Sequence, residues 1–505
     1  MKKIATILLL VLLAFSLAPA AAQGPTWPGD EWPTSTPEEQ GIDSAWLAEM
    51  FTLIAEDEID IDSVLVLRNG HVVLDAYIAP ADSDIRHHVA SVSKSFTATL
   101  VGIAIGQGLI PDVETPLMDL FPGYESAEPD PLRDTATLED LLTMSVGWNC
   151  RDSYLHNYRG LEELWACADW VQFMLDLPMI HDPGTEFEYC NGGSHLLAAA
   201  VEIAAEQPIA EFADENLFEP LGITDYEWAT VPSGRVLGYA GLRINPRDMA
   251  RLGYLYLHDG VWNGEQIVPA DFIAAARTPH IEANTLASDY GYQWWIEDNT
   301  YMALGYGGQY ILVSPEHDLI AVFTSSLANE RFKSPWYLFT GYVLKAIQSD
   351  EALPANPDGV AALNAAVAAL QSPEPTPVPD LPAQASAISG VRYTLEKNDL
   401  GADTITLHFE PGADETLMII ESSLGALEMK VGLDGVFRLN DRFYFRSLRG
   451  TWTSDERFVI EWRNPAEFGN GEFRLTFNED GTLRFVYNDA VSEQLTVIEG
   501  VAERE

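Results

Sequence analysis

The run Ser372-Pro373-Glu374-Pro375-Thr376-Pro377-Val378-Pro379-Asp380-Leu381-Pro382 separates two parts of this chain with different patterning. Proline locks φ and removes an amide donor, so such a run is neither helix nor central strand. It reads as a stiff, extended connector, and we take 351–384 as a Pro-rich linker. Beyond it, short segments of apolar and polar alternation follow one another closely, for example 404–409, 427–431, 473–477 and 483–486. Turn-forming stretches such as Asn478-Glu479-Asp480-Gly481 separate them, which predicts an antiparallel β-sheet or barrel over 385–505. A chain of 505 residues, 47% of them hydrophobic, has enough apolar material for two or three domains.

The part before the linker mixes periods. Residues 44–56 carry Leu47, Met50, Phe51, Leu53 and Ile54 at helical spacing. Two β-rich runs, 63–67 and 72–77, flank Arg68-Asn69-Gly70-His71, and Asn-Gly between such runs predicts a tight hairpin. From Ser91 to about Thr230 the pattern is mostly helical, with helices expected over 137–144, 168–177 and 193–205. Asn245-Pro246 caps a further helix that runs to Leu257. Strand character returns at 290–296, 310–315 and 319–324, and 335–347 reads as a closing helix. Residues 23–33, rich in Pro, Gly and Trp, are expected to cover the surface. The order is strand pair, helical insert, strands, helix. It predicts an α/β (α+β) unit: an antiparallel sheet flanked by helices, with an all-helical insert.

At the N-terminus, Met1-Lys2-Lys3 is followed by an apolar stretch over 4–17 and by Ala20-Ala21-Ala22. This reads as a signal peptide over 1–22 cleaved near Ala22, and so as a secreted or periplasmic protein. The apolar run is shorter than the roughly 20 residues of a membrane span. No later segment is long and apolar enough to be one, so no membrane span is expected in the mature chain. Asp and Glu number 77 against 28 Lys and Arg, a formal charge of −49. That excludes nucleic acid as an expected partner, because binding it relies on cations that neutralise phosphates. The charge serves either solubility or adaptation to salt, in which ions screen self-repulsion. Export permits a disulfide, and Cys150, Cys167 and Cys190 allow three pairings with one thiol left over. No Cys-x-x-Cys or His-x-x-x-His cluster suggests a metal, and neither metal nor cofactor is expected.

Three short motifs carry the chemistry. Ser91-Val92-Ser93-Lys94 places a hydroxyl and an amine one helical turn apart, on one face. A serine becomes a nucleophile when a neighbour takes its proton, which an uncharged lysine can do. Burial lowers a lysine pKa by as much as roughly 3–5, and the run 96–105 supplies an apolar shell. The second motif is Tyr189-Cys190-Asn191, and the third is Tyr306-Gly307-Gly308-Gln309. Each has an ordinary reading when taken singly: a helix start, a buried tyrosine beside a capping asparagine, and a glycine-rich turn.

Together and in this order the motifs resemble the serine β-lactamase / penicillin-binding-protein superfamily, most of all its class C β-lactamase-like esterases and 6-aminohexanoate-dimer-hydrolase-like members. The resemblance covers about 35–350, with support from 141–147, 241–251 and 290–295. The β domain after the linker is a looser likeness. The resemblance implies a serine acyl hydrolase in which Ser91 is acylated and Lys94 or Tyr189 takes its proton. Tyr189 would serve the leaving group and the deacylating water, and Asn191 would contact substrate and Lys94. It further implies that the backbone N–H groups of Ser91 and Gln309 bind the oxyanion, with Tyr306, Gly307 and Gly308 lining the substrate. It favours a Cys150–Cys190 bridge beside Tyr189, with Cys150–Cys167 as the alternative. Tyr306 departs from the pattern, because penicillin-recognising members have lysine there and many relatives have histidine. Arg243 or Arg247 either supplies the missing cation or forms a salt bridge at the start of its helix. A small neutral ester or amide is therefore the expected substrate. The alternatives are a β-lactamase or DD-peptidase, and a non-catalytic binding protein on the same fold. If the acidic surface is a salt adaptation, thermal melts should show the folded chain losing stability as ionic strength falls from molar to millimolar; an unchanged melting temperature would leave solubility as its role.

Overall fold

The computed structural model describes residues 25–503 apart from Asp30, Glu128, 153–158 and 441–446. The expected signal peptide over 1–22 lies outside the described residues. An eight-stranded sheet forms the centre of the first unit. Its strands are β1 (Ile61–Arg68), β2 (His71–Tyr77), β3 (Ile281–Glu282), β4 (Asp289–Tyr290), β5 (Trp295–Glu297), β6 (Thr300–Gly305), β7 (Gln309–Ser314) and β8 (Leu319–Ser325). In space they lie in the order β2-β1-β8-β7-β6-β5-β4-β3, with every pairing antiparallel. The β1–β2 turn is the expected hairpin: Asn69 (φ 52°) and Gly70 (φ 73°) both adopt the left-handed conformation that a two-residue turn needs.

Successive strand residues point to opposite faces, and the sheet uses that alternation to build two cores. Leu65, Leu67, Ile311, Val313, Ile320 and Val322 face one core. Val64, Val66, Tyr310, Leu312, Ala321 and Phe323 face the other. Both faces are covered, which is why the strands read as nearly unbroken apolar runs. On the first face lie α2 (Ser93–Gly106), α3 (Leu138–Leu142), α4 (Asn191–Ala205) and α5 (Pro246–Leu257). On the second lies α1 (Ser44–Glu56), with the helical stretch from Ser334–Leu338 to Leu344–Ala346.

Several segments differ from the sequence expectation. The strand read over 290–296 is broken between β4 and β5, because Gln293 (φ 59°) turns into the core. Its side chain donates to the carbonyls of Leu141 and Leu142, and its own carbonyl accepts from Ser95. Residues 23–33 do more than cover the surface where they are described: Trp32 is buried and stacks edge-on against Tyr254 and Trp262. The stretch read as linker is not extended throughout. Pro357–Gln371 is a helix, α6, capped by Asn356 and packed on α1 through Leu363. Its alanine-rich composition and proline at the first turn favour helix, whereas the proline run after Ser372 has no regular secondary structure.

Beyond that run, ten strands from Arg392–Leu395 to Gln494–Ala502 form one sheet around a separate core that includes Met418, Phe458, Phe473 and Ile498. A bridge from Gly432, on one end strand, to Arg449, on the strand next to the other end, closes the sheet into a barrel. Leu363→Ala should cost about 2–5 kcal/mol, as large-to-small core changes do. A lowered urea midpoint by tryptophan fluorescence would register it, and an unchanged midpoint would show that α6 adds nothing to the fold.

Candidate active site

Ser91 does not lie within the helix proper. It sits in a single 3₁₀ turn, Ala90–Val92, that leads into α2. Ala90 has φ 47°, a left-handed conformation uncommon for a residue with a side chain and costing on the order of 1–3 kcal/mol. The turn nonetheless brings Ser91 and Lys94 together, as the three-residue spacing requires. Lys94 Nζ donates to Ser91 Oγ at 2.9 Å, to Asn191 Oδ1 at 2.7 Å and to the Tyr239 carbonyl at 2.9 Å. Nζ lies 5.0 Å from the centre of the Tyr189 ring.

Every residue of α2 from Ser93 to Ala104 is buried, so Lys94 enters a helix surrounded by core. Loss of hydration disfavours its charged form. Burial accordingly pulls the Lys94 pKa down to about 7, and the Asp152 carboxylate opposes the shift. Its three hydrogen-bond acceptors leave no proton of the ammonium without a partner.

Asn191 is the first residue of α4, and the residue before it, Cys190, offers no side-chain cap. Asp152 supplies the cap from elsewhere in the chain. Its Oδ1 accepts from the Asn191 amide at 2.9 Å and its Oδ2 from the Gly192 amide at 2.7 Å. Its carbonyl accepts from Asn191 Nδ2 at 2.9 Å, which turns Asn191 Oδ1 toward Lys94. Carboxylates are favoured at helix N-termini, but burial dominates here and raises the Asp152 pKa to about 6 against those amide bonds. The Cys150–Cys190 disulfide brings this segment into place, with the two Cα atoms 5.9 Å apart, and leaves Cys167 free. Cys150, Asp152 and Cys190 are the one cluster of metal-ligand type among the described residues, but its two sulfurs are bonded to each other.

The third motif is the turn between β6 and β7, in the middle of the sheet. Gly307 (φ 76°) and Gly308 (φ 90°) both need left-handed backbone. A Cβ on Gly308 would also come within 2.6 Å of Leu327, and one on Gly305 would collide with the Val89 carbonyl beside the Ser91 turn. Gln309 is fully buried. Its side chain donates to the Ser325 carbonyl at 2.7 Å and accepts from the Ser325 amide at 3.2 Å.

The three motifs meet at a pocket of about 570 Å³. Ser91, Phe187, Tyr189, Trp295, Leu304 and Tyr306 line it, and Tyr189 stacks on Trp295 with ring centres 5.8 Å apart. Of the eight sequence-predicted site residues, Ser91, Tyr189 and Tyr306 line it, Lys94 and Asn191 are in the buried layer behind Ser91, and Gly307, Gly308 and Gln309 continue the turn from Tyr306 into β7. Neither arginine supplies the expected cation. Arg243 pairs with Glu467 at 2.7 Å, and Arg247 pairs with Asp75 at 2.6 Å and Glu31 at 3.3 Å. Sequence reasoning missed Asp152, Trp295 and the Tyr239 carbonyl. The legible signal for Asp152 was its position two residues after a half-cystine whose partner adjoins Asn191.

This fold, with a serine and a lysine of lowered pKa at its pocket, defines a serine hydrolase of β-lactamase-like architecture. The Beta-lactamase family model matches residues 52–338, and the chain belongs to that family. It is 26% identical over 295 residues to the 6-aminohexanoate-dimer hydrolase of Paenarthrobacter ureafaciens, covering 54% of this chain and 74% of that one. Penicillin-binding protein 4 of Amycolatopsis lactamdurans is 28% identical over 250 residues, covering 41% of this chain and 61% of the relative. Among solved structures, EstCE1, a hydrolase with promiscuous acyltransferase activity, superposes with a TM-score of 0.51 at 18% identity, over 61% of this chain and 99% of that one.

With Lys94 as base, kcat/KM should rise with pH through about 7, where the amine loses its proton. Asp152→Asn removes the anion that holds this value up, so the acid limb should move to lower pH. A limb that stays in place would show that Asp152 does not act on Lys94 electrostatically.

Proposed function

We propose that this chain is an exported serine acyl hydrolase that acts on small ester or amide substrates through an acyl-enzyme on Ser91. The observation that carries the reading is the buried Lys94 amine, with a pKa near 7, at 2.9 Å from Ser91 Oγ. The Ser91 hydroxyl attacks the substrate carbonyl carbon and its proton passes to Lys94 Nζ. The carbonyl electrons move onto oxygen, where the N–H groups of Ser91 and Gln309 receive the charge; one such donor is worth about 10²–10³-fold in kcat. As the intermediate collapses, the alcohol or amine leaves with a proton delivered by Tyr189 or Lys94. Water then attacks the acyl-enzyme with the same groups acting as base, and the acid departs. A positioned base of this kind contributes about 10²–10⁴-fold.

The aromatic pocket wall supports an apolar acyl group. A substrate without a carboxylate is supported at the third motif, where Tyr306 donates its hydroxyl to the Val491 carbonyl and both candidate arginines are paired with acids. The names of two similar proteins, a 6-aminohexanoate-dimer hydrolase and a hydrolase with promiscuous acyltransferase activity, agree with acyl transfer. Export is supported by the basic and apolar N-terminus and by the Cys150–Cys190 bridge.

A fluorophosphonate probe should label Ser91 in the folded protein, and short-chain p-nitrophenyl esters should turn over well above a chromogenic cephalosporin. Ser91→Ala and Lys94→Ala should each abolish ester turnover. Absence of label would favour a binding protein, and faster cephalosporin turnover would favour a β-lactamase.

A further inference from the structure

The barrel does not hang from its proline run as a separate body; it closes on the third motif. Its Pro465–Glu467 turn ends at Phe468, a bulky residue held at φ 46°. That strained conformation persists only where surrounding contacts over-determine it. The Phe468 ring lies 4.9 Å from the His88 ring and 5.8 Å from the Tyr306 ring. A Cβ on Gly307 would come within 3.1 Å of Phe468 Cβ, so the barrel packs directly on the glycine turn. On one side of this contact, Glu467 accepts from Arg243 Nε at 2.9 Å and Nη2 at 2.7 Å. On the other, the Val491 carbonyl accepts the Tyr306 hydroxyl, and Glu493 accepts from Asn329 Nδ2 at 3.0 Å.

A second grip lies at the edge of β8. Arg463 and Asn470 of the barrel both bind the Asp60 carboxylate, Asn470 at 2.6 Å. The Asp60 carbonyl accepts the Ser326 amide at 2.9 Å, next to the Ser325 that holds the Gln309 side chain. The Gly307 carbonyl in turn accepts the Leu327 amide at 2.9 Å. The turn 306–308 is thus held from behind by 325–327 and from outside by the barrel.

Two consecutive glycines at positive φ form a compliant turn, because glycine has more accessible backbone states than any other residue. An oxyanion donor acts only when placed within about 0.5 Å of its productive position. From these contacts we infer that Phe468 and the Val491 carbonyl are positioning elements of the active site. They fix the Tyr306–Gly308 turn, and through it the Gln309 amide. The inference rests on the hydrolase reading for its effect on rate, but the mechanical claim stands without it.

The test uses the full chain with Phe468→Ala, and Glu467→Gln as a second variant that keeps the ring. For Phe468→Ala, kcat on a p-nitrophenyl ester should fall about 10–100-fold with KM little changed, since oxyanion donors act on the transition state. The rate of fluorophosphonate labelling at Ser91 should fall in parallel. The acid limb of the pH profile should stay in place, because Lys94 is untouched. Phe468→Tyr should restore most of the rate, and Arg484→Gln, in a surface pair with Glu499 elsewhere on the barrel, should leave it unchanged. Hydrogen exchange read by mass spectrometry over the β6–β7 turn should speed up in Phe468→Ala. If Phe468→Ala does not fold, the same readouts on Glu467→Gln decide, with a loss of about 3–10-fold expected from the missing charge-assisted pair. Kinetics within twofold of wild type together with unchanged exchange in a folded variant would overturn the inference. If wild-type protein neither labels nor turns over ester, the hydrolase reading fails, and exchange at the turn alone decides the positioning claim.

Discussion

The candidate active site depends on one amine held in the core with its pKa pulled down to about 7. Lys94 Nζ lies behind Ser91, and besides that neighbouring hydroxyl two acceptors from distant parts of the chain, Asn191 Oδ1 and the Tyr239 carbonyl, converge on it. A buried ammonium without partners is prohibitively costly. A buried amine with too strong an anionic partner would stay protonated and useless as a base. The arrangement lies between those limits. Asn191 and the Tyr239 carbonyl are neutral acceptors, and the carboxylate of Asp152 is spent on the amides at the start of α4. The Lys94 amine is therefore oriented by neutral groups, while the nearby anion acts on it only at a distance.

That design places demands on the surroundings. Asn191 must present its oxygen to Lys94, which fixes the first turn of α4, which in turn needs a cap that Cys190 cannot provide. The disulfide ties the capping segment to the capped helix. Gln293 links the same region to the sheet: it accepts from Ser194 on α4, accepts from Ser95 on α2 and donates to the end of α3. Its left-handed backbone interrupts what would otherwise be one long strand. Local strain at Ala90 and Gln293 is concentrated where helix, sheet and pocket meet, and the two cores on either side of the sheet stabilise it.

The barrel belongs to the same logic on the opposite side of the pocket. Here the Tyr306 hydroxyl is bonded to a barrel carbonyl, and Arg243 is paired with a barrel glutamate. At that corner Tyr306 and Arg243 both meet the barrel, so the corner is an interface between domains.

Features set by short-range physics were legible in the sequence. Asn69-Gly70 dictates its hairpin because both residues tolerate positive φ. The period-two alternation after 385 dictates strands, and the three-residue spacing of Ser91 and Lys94 puts both groups in one place even though the turn holding them is 3₁₀ and not α. The order of the three motifs pointed to the family whose model matches residues 52–338. The features that escaped depend on contacts between residues far apart in the chain. Asp152 caps a helix 39 residues away, the Tyr239 carbonyl meets an amine 145 residues away, and Val491 meets Tyr306 across 185 residues. No local pattern marks such partners, since any buried carboxylate, carbonyl or ring could have filled the role. The sequence by itself determined which groups could meet at one turn and much of which segments are strand or helix, because sterics and hydrophobic period act over a few residues. Only the tertiary structure decided how basic Lys94 is and what stands over Tyr306, because desolvation and packing depend on every element that closes around them.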